Sequence, residues 1–398
     1  MFARSSAKLV LASAISTIAL SAAGAVEAQD VGARFKALME GQGVAVSWTG
    51  IDNSGADVVM RGVTAKDSVS PEPIKLGDIS FDGIEETANG DYVVETLAMP
   101  KYETVSEGAT ITMEGLSIAG AVLPSPTSTD IVSQSGFFDS IDVDSVNVVK
   151  DGKQLFNMTG LNYEIEKGDG GKSYSFTGSA DAFTADLTAS GDPQTIGMAT
   201  ALGLAKPKGT FEMAGDWSLA DGDFSLEQMD FTIENAGTLG ISFDISGYTA
   251  EFLKAMRDMQ KGMINATEEQ KQAAGMAVMG LMQQLTFAGA TIRYDDDALA
   301  GRALDFAADM QKMKRSDMAP MAQMVLPMVM GQYVTPEFAA MVSAEVAKFV
   351  SDPKSFEIKA EPAAPVPFMM VGMSAMTAPQ GIPAQLGVTV KANEEAAE

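Results

Sequence analysis

Residues 210–247 read TFEMAGDWSLADGDFSLEQMDFTIENAGTLGISFDISG, and the pattern of this stretch decides the fold. Its apolar residues alternate with polar or small ones, which is the period of a β-strand with one buried face. Asp221-Gly222-Asp223 and Asn235-Ala236-Gly237 are turn sequences that divide the stretch into consecutive strands. The stretch therefore predicts an antiparallel meander with one apolar face and one polar face.

The same alternation recurs towards the N-terminus, back to about residue 44. Gly, Asn, Asp or Pro separates many of the runs, as expected for antiparallel strands joined by turns. Before the first run, Asp30 is predicted to cap a short helix that carries Phe35 on its apolar side. Within the β region, a long loop is expected from Ala121 to Gly136. The alternating runs are Val44–Trp48, Ile79–Phe81, Tyr92–Val94, Ile111–Met113, Ile141–Val143, Val146–Val148, Leu161–Ile165 and Tyr174–Phe176.

Around residue 250 the pattern changes to the period of a helix. One apolar stripe runs from Phe252 to Met263, and Thr267 is predicted to begin a second helix. A strand from Ala288 to Tyr294 interrupts the helices, which then continue to Val350.

The last part of the chain returns to the period of a strand. Phe356 to Ala360 and Leu386 to Val390 are predicted strands. Pro362 to Pro383 is predicted to be a connection interrupted by prolines.

Together the patterns predict an α+β fold, a long, curved antiparallel β-sheet with a Met-rich helical region packed on it. We expect a cleaved signal peptide at 1–28 and a short helix with the antiparallel sheet at 29–250. A helical region with one strand follows at 251–350, and terminal strands with an acidic tail occupy 351–398. A sheet with one apolar face must bury that face, and the Met-rich helices are the expected cover.

The N-terminus has the organisation of a secretory signal peptide. Arg4 and Lys8 precede an apolar run, Leu9–Ala23, that is shorter than the roughly 20 residues of a membrane-spanning helix. Two cleavage sites follow, after Ala25 and after Ala28, and the later one is our working choice. We therefore expect an exported, periplasmic protein whose mature chain has no transmembrane span.

The composition excludes several kinds of chemistry. The 398 residues include no His and no Cys, so His-dependent triads, thiol chemistry, disulfides and common zinc sites are ruled out. Lys and Arg number 27 against 53 Asp and Glu, for a net charge of −26. Such a surface repels phosphate backbones, so we expect no nucleic-acid partner. The motifs predict no cofactor, no metal site and no catalytic residue.

Methionine is the most unusual feature of the helical region. Three interpretations are open: a helical core that uses Met in place of Leu, an adaptable surface for an apolar ligand or partner, and a copper(I) site. The first is favoured because Met is frequent throughout the chain. If the second holds, the candidate ligand-facing residues are Met256, Met259, Met263, Met310, Met313, Met321 and Met324.

Acidic residues offer the other candidate sites. Asp295, Asp296 and Asp297 have the chemistry of a cation site, but they stand where a helix is predicted to begin, and capping is the favoured interpretation. Asp142 and Asp144 begin like a calcium loop that the following residues do not complete. A pair of facing carboxylates could hydrolyse glycosides, although no spacing selects one pair.

Three phrases resemble a group of uncharacterised secreted or periplasmic proteins of alphaproteobacteria. They are LGDISFDGIEETANGDYVVETLAMPKY at 76–102, TIRYDDDALAGRALDFA at 291–307, and the ending from SDPKSFEIKAEPAAPVPF to LGVTVKAN. The resemblance implies a compartment and an architecture but no activity. In architecture alone the chain is also similar to AsmA-like envelope proteins, long β structures associated with lipid handling.

Three functional hypotheses follow. The first is a non-enzymatic periplasmic protein that binds a lipid or another apolar ligand between sheet and helices. The second is a structural or assembly factor of the cell envelope that acts through contacts with an envelope protein. The third is a carboxylate-based hydrolase.

Overall fold

The computed structural model describes residues 26–66, 73–168, 170–263, 267 and 277–395. Within them, sixteen strands form one open antiparallel sheet whose order follows the chain. Short strands flank the path at both ends of the chain, where β1 and β2 both pair with β3, and β15 pairs with β13. The α+β class and the meander predicted from the alternation are confirmed.

The strands are long in the first two thirds of the chain and shorter near its end. They are β1 Ala45–Ser47, β2 Gly50–Ser54, β3 Asp57–Lys66, β4 Ile74–Glu86, β5 Tyr92–Ser106, β6 Ala109–Leu123, β7 Ser140–Lys150, β8 Lys153–Gly168, β9 Ser173–Ala185, β10 Lys208–Ser218, β11 Asp223–Ile233, β12 Gly237–Ser246, β13 Thr286–Asp296, β14 Ser355–Ala360, β15 Val366–Pro367 and β16 Val388–Ala392.

Helices lie before the sheet, in its long connections and around its C-terminal strands. They are α1 Ala28–Gly41, α2 Ile131–Gln134, α3 Pro193–Ala201 and α4 Ala250–Met263, then Leu299–Gln311, Met318–Met330, Pro336–Ser351, Phe368–Thr377 and Ile382–Gln385, with further helical residues at 277–282. None of the described helices combines the length and the apolar character that crossing a membrane requires.

The register joins the apolar sides of neighbouring strands into one continuous face. Residues directly opposite each other in an antiparallel pair point to the same side of the sheet. Phe211 of β10 lies opposite Phe231 of β11, which lies opposite Leu239 of β12. In the same way, Ile292 of β13 lies opposite Ile358 of β14. The apolar side predicted for single strands is therefore a property of the whole sheet.

Glycines with a positive φ lie within several of the long strands. Gly160 in β8 has a φ of 61°, and a Cβ atom there would overlap the carboxylate of Asp181 on β9. Gly115 in β6 has a φ of 69° and meets Asp144 of β7 in the same way. Only glycine tolerates this conformation without cost, and a side chain at either position would displace the neighbouring aspartate.

The N-terminal third of the sheet has a closed hydrophobic core. Helix α1 lies across the first strands, and its Phe35 meets Phe81 of β4 edge to face, with ring centroids 5.3 Å apart. Phe81 has no exposed surface, and the same is true of Met60 and Val94 beside it. This part of the apolar face is covered as a one-sided sheet requires.

Three local predictions are corrected. Asp30 does not cap α1, because the helix begins earlier and Asp30 lies in its first turn, where it pairs with Arg34 at 3.0 Å. The runs at 141–143 and 146–148 belong to one strand, β7, because no turn separates them. The loop expected at 121–136 is shorter than predicted, since β6 continues to Leu123 and α2 follows.

The C-terminal part contains more helix than the prolines indicated. The predicted connection from Pro362 to Pro383 holds β15 and the helix Phe368–Thr377. Asp192 caps α3, a helix that the alternation did not predict, although an Asp before Pro193 is a helix-start signal. The first part of the helix expected to begin at Thr267 lies outside the described residues, and residues 277–282 of its expected span are helical. Most of the expected signal peptide also lies outside the described residues.

Helix Pro336–Ser351 lies on the last strands of the sheet. Its Phe349 meets Phe356 of β14 with ring centroids 5.5 Å apart and Tyr294 of β13 at 6.5 Å. Helix Met318–Met330 packs on this helix rather than on a strand. The helix Pro336–Ser351, which contains one Met, therefore covers the C-terminal end of the sheet, and the Met-rich helix Met318–Met330 lies on top of it.

Candidate apolar ligand site

A groove of about 430 Å³ lies on the apolar side of β8 to β12. We call it the aromatic groove. Its volume falls in the range of small-molecule sites, roughly 300–1,000 Å³. Ten of its lining residues come from the strands and two from the segment around α2. The lining consists of Val132, Phe137, Tyr163, Ile165, Tyr174, Phe176, Met213, Trp217, Phe224, Leu226, Met229 and Phe243.

Stacked aromatic side chains cross the strands in two rows and form the floor of the groove. In the first row, Tyr174 stacks on Trp217, with ring centroids 5.6 Å apart. In the second row, Phe176 stacks on Phe224 at 5.5 Å, and Phe224 stacks on Phe243 at 5.8 Å. Rows of this kind hold their shape because each ring packs against the next. The groove is therefore a rigid apolar surface.

The floor and the rim of the groove differ in burial. Tyr174, Phe176 and Leu226 are buried, whereas Met213 and Met229 are half-buried. These two methionines face each other on β10 and β11. Unbranched thioether side chains adapt to ligands of different shape. The rim is thus the deformable part of a site whose floor is fixed.

The polar atoms of the groove are satisfied or neutral. Trp217 donates its indole N–H to the carbonyl of Tyr248 at 2.9 Å. Burial raises the pKa of Tyr163, and burial followed by the charge of Asp130 raises the pKa of Tyr174. Both phenols therefore stay uncharged at neutral pH. The lining offers an apolar chain no competing charge.

Helix α2 forms a wall at one end of the aromatic groove. Its Val132 faces the groove, while Asp130 accepts the backbone N–H of Ser133 at 3.0 Å and caps the helix. Burial opposes ionisation of Asp130, but its hydrogen bonds from Ser133 and Val132 hold the pKa of that carboxyl below its usual range. A four-residue helix is not stable alone, so its place depends on contacts with other elements.

Arg257 of α4 supplies such contacts. Its guanidinium donates to the side chain of Gln134 at 2.8 Å, to the carbonyl of Ile131 at 3.1 Å and to the hydroxyl of Ser135. Burial lowers the pKa of Arg257, although a guanidinium remains charged at neutral pH. Arg257 therefore holds α2, the wall of the groove, in place through these hydrogen bonds.

Beyond the groove, the described residues leave part of the apolar face uncovered. Phe231, Leu239, Ile292 and Ile358 expose between 39% and 48% of their surface, and the register places them side by side from β11 to β14. Large apolar residues exposed next to one another mark a binding surface more often than single ones do. The groove thus opens onto an apolar strip that leads towards the C-terminal strands.

A second cleft, of about 640 Å³, lies between α1, α2 and α4. Its lining includes Arg34, Gln134, Leu253, Met256 and Arg257. It is more polar than the aromatic groove and is separated from it by α2. Of the methionines predicted to face a ligand, Met256 is the one that lines a described cavity.

The other methionines predicted to face a ligand are spread over the helical region. Met259, Met313 and Met321 are half-buried, while Met310 and Met324 expose 71% and 68% of their surface. The side chain of Met263 lies outside the described residues. The structure does not bring these residues together at the aromatic groove, and a role in ligand binding remains a prediction for them.

The acidic triplet serves as a helix start. Asp296 accepts the backbone N–H groups of Ala298 at 3.2 Å and Ala300 at 2.7 Å, and it also accepts the hydroxyl of Tyr294 at 2.8 Å. The capping interpretation holds for Asp296 alone, which accepts free N–H groups at the helix start although the N-cap position is Ala298; Asp295 instead pairs with Arg293 at 2.7 Å. Among the described residues, no cluster of His, Cys, Asp and Glu has the arrangement of a metal site.

Sequence reasoning missed Met213 and Met229 as candidate ligand contacts. Both belong to the alternating stretch at 210–247, where their spacing already placed them on the apolar face. The pattern placed them correctly, but only the methionines of the helical region were considered as ligand contacts. Their neighbours in the groove come from β8 and β9, some 50 residues earlier in the chain, and only pairing brings them together.

A protein-family model described as an uncharacterized protein matches residues 230–393. The match begins in β11 and runs to the end of β16, so it covers the C-terminal strands and the helices between them. No curated protein matches the chain. The comparisons therefore associate the chain with an uncharacterised family and supply no activity.

Proposed function

We propose that this protein is an exported, non-enzymatic binding protein whose aromatic groove holds the apolar chain of a lipid or similar molecule. The observation that carries the proposal is the groove itself, a cavity of about 430 Å³ with an apolar lining on an acidic chain. An apolar surface left open on an acidic protein gains free energy when a ligand covers it. The similarity to AsmA-like envelope proteins supports the same class of ligand.

Binding of 1-dodecanol tests the proposal directly. Trp217 lines the groove, and a Trp48→Phe variant leaves it as the single indole of the chain. We expect a saturable change in Trp217 fluorescence with a Kd on the order of micromolar, since burial of a twelve-carbon chain exceeds the cost of association. Mass spectrometry of the natively purified protein should also find a co-purified apolar molecule. An absence of saturable binding in the delipidated protein would contradict the proposal.

We further propose that export ends with cleavage after Ala25 rather than after Ala28. Val26 is 8% exposed within the N-terminal core, and its carbonyl accepts the Asn53 side chain at 2.9 Å. The carbonyl of Glu27 accepts the N–H groups of Asp30 and Val31 at the start of α1. Cleavage after Ala28 would remove these contacts, whereas cleavage after Ala25 preserves them. The resemblance to periplasmic proteins supports export.

The intact mass of the mature protein distinguishes the two cleavage sites. We expect a chain that begins at Val26, since its side chain and the helix start are then kept. A chain that begins at Gln29 would show that the N-terminal core forms without them.

One observation favours the second hypothesis, contact with an envelope protein. Helix Met318–Met330 carries no charged residue, and its Met324, Val325, Met328 and Val329 are exposed. An exposed apolar helix side is typical of a surface that another protein covers. The ligand hypothesis ranks first because the aromatic groove is a concave site lined by apolar residues from five strands and from the segment around α2.

A further inference from the structure

The apolar side of β8 ends in a lysine. Leu161, Tyr163 and Ile165 alternate on this side, and the next position in the same alternation is Lys167. The register confirms its side, because Lys167 lies directly opposite Tyr174 of β9, a residue of the groove floor. A charged residue therefore occupies a position where the strand pattern calls for an apolar one.

The ammonium group of Lys167 lies at the margin of the aromatic groove. Its Nζ is 3.8 Å from the centroid of the Phe137 ring. Phe137 is buried, lines the groove and meets Tyr174 at 5.6 Å between ring centroids. The aromatic face holds the ammonium by a cation–π contact, while the lysine itself remains exposed. The charge is thus placed beside the apolar lining without being buried in it.

The charges around Lys167 leave it available to a ligand. Other lysines of this acidic chain pair with carboxylates, as Lys101 does with Glu103 at 3.0 Å and Lys391 with Glu394 at 2.9 Å. Among the described residues, no carboxylate forms an ion pair with Lys167. Asp130 is close enough to feel its charge, but the oxygens of Asp130 are engaged by Ser133 and Val132.

We propose that Lys167 binds the anionic head group of an amphipathic ligand whose apolar chain lies in the aromatic groove. This inference rests on the proposed function and adds the class of ligand, an amphiphile with a carboxylate or phosphate head. A chain lying along Ile165 and Tyr174 would place its head beside Nζ. An ammonium next to an apolar lining attracts an anion more strongly than one surrounded by water.

Three probes with one chain length test the inference: dodecanoate, dodecyl phosphate and 1-dodecanol, each below its aggregation limit. We expect the two anions to bind the Trp48→Phe protein about 5-fold or more tightly than the alcohol, with the advantage falling as salt is raised. Lys167→Met keeps an apolar stem of similar length and should remove that advantage. Lys167→Arg keeps the charge and should retain it. The anion that binds more tightly shows whether the natural head group is a carboxylate or a phosphate.

The outcomes separate this inference from the proposed function. The head-group role of Lys167 is wrong if 1-dodecanol binds and the two anions bind no more tightly. It is also wrong if Lys167→Met weakens the binding of all three probes equally. In either case the aromatic groove is still a binding site for an apolar chain. If none of the probes binds the parent protein, the proposed function itself fails. Lys153→Met is the matched control, since it removes an exposed lysine at the opposite end of the same strand.

Discussion

Replacing Met213 by glutamate is expected to abolish binding of an apolar chain to the aromatic groove while the sheet stays folded. Met213 is half-buried on the rim, opposite Met229. A carboxylate of similar length at this position must be desolvated when a chain enters, and burying a charge without a partner costs several kcal/mol. We expect the affinity for 1-dodecanol to fall about 100-fold or more, measured by Trp217 fluorescence.

Two variants control for size and for added charge. Met213→Leu keeps an apolar side chain of similar volume and should bind nearly as well as the parent protein. Thr210→Glu adds the same charge to the same strand, but on the polar side of the sheet, and should leave binding unchanged. Equal loss of affinity in Thr210→Glu and Met213→Glu would show that net charge, and not the groove, governs binding.

Replacing Phe81 by alanine is expected to cost about 3–5 kcal/mol in the free energy of unfolding, the largest stability effect we predict. The Phe81 side chain is 0% exposed between the sheet and α1, where it meets Phe35, Val58 and Leu97. Removing it leaves a cavity that a helix packed on a sheet closes only in part. Urea denaturation followed by circular dichroism measures the loss.

Two comparisons make this result specific to the closed core. Val105→Ala, on the same sheet at 68% exposure, should change stability by less than about 0.5 kcal/mol. Phe243→Ala removes a half-buried ring from the groove and should cost only about 1–2 kcal/mol, because one side of that ring already faces solvent. A loss for Phe243→Ala as large as that for Phe81→Ala would mean that the groove is filled in solution.

The contrast between Phe81 and Phe243 shows where prediction from sequence ends. Both are aromatic residues at apolar positions of alternating strands, and the alternation alone assigns them the same role. In the structure one lies beneath α1 and the other lies in an open groove. The difference comes from which helix reaches which strand, and that depends on contacts between residues far apart in the chain.

The candidate ligand contacts predicted from the sequence and the lining of the aromatic groove are different residues. If the helical methionines form an adaptable surface, one of the three interpretations of the sequence, the ligand would lie against the helices. Met310 and Met324 are instead strongly exposed, while the groove uses Met213 and Met229 on strands. Helical periodicity shows which residues share a side of a helix, but it does not show what that side faces.

The wall of the aromatic groove around α2 is the other part of the site that could not be predicted from the sequence. The segment from Ala121 to Gly136 was predicted as a loop, yet it contains α2 and leads to Phe137. A four-residue helix has no periodicity to detect, and its position comes from Asp130 within it and from Arg257, more than 120 residues later. In the same way, only the contact between Lys167 and the ring of Phe137 shows that this lysine lies beside the aromatic groove.

By itself, the sequence determined that this chain forms an antiparallel sheet with one apolar side, because successive side chains of a strand point to opposite faces and the alternation of residues follows that geometry. It also determined the acidic polar side and the pairing of those strands that a short turn joins, such as β10 with β11 and β11 with β12. The tertiary structure decided how much of the apolar side is covered. Helix α1 closes it over β4, the helix Pro336–Ser351 closes it at β14, and the strands between them keep an open groove. Whether a strand is covered depends on how far the connecting segments extend across the sheet. Local residue patterns do not predict that distance.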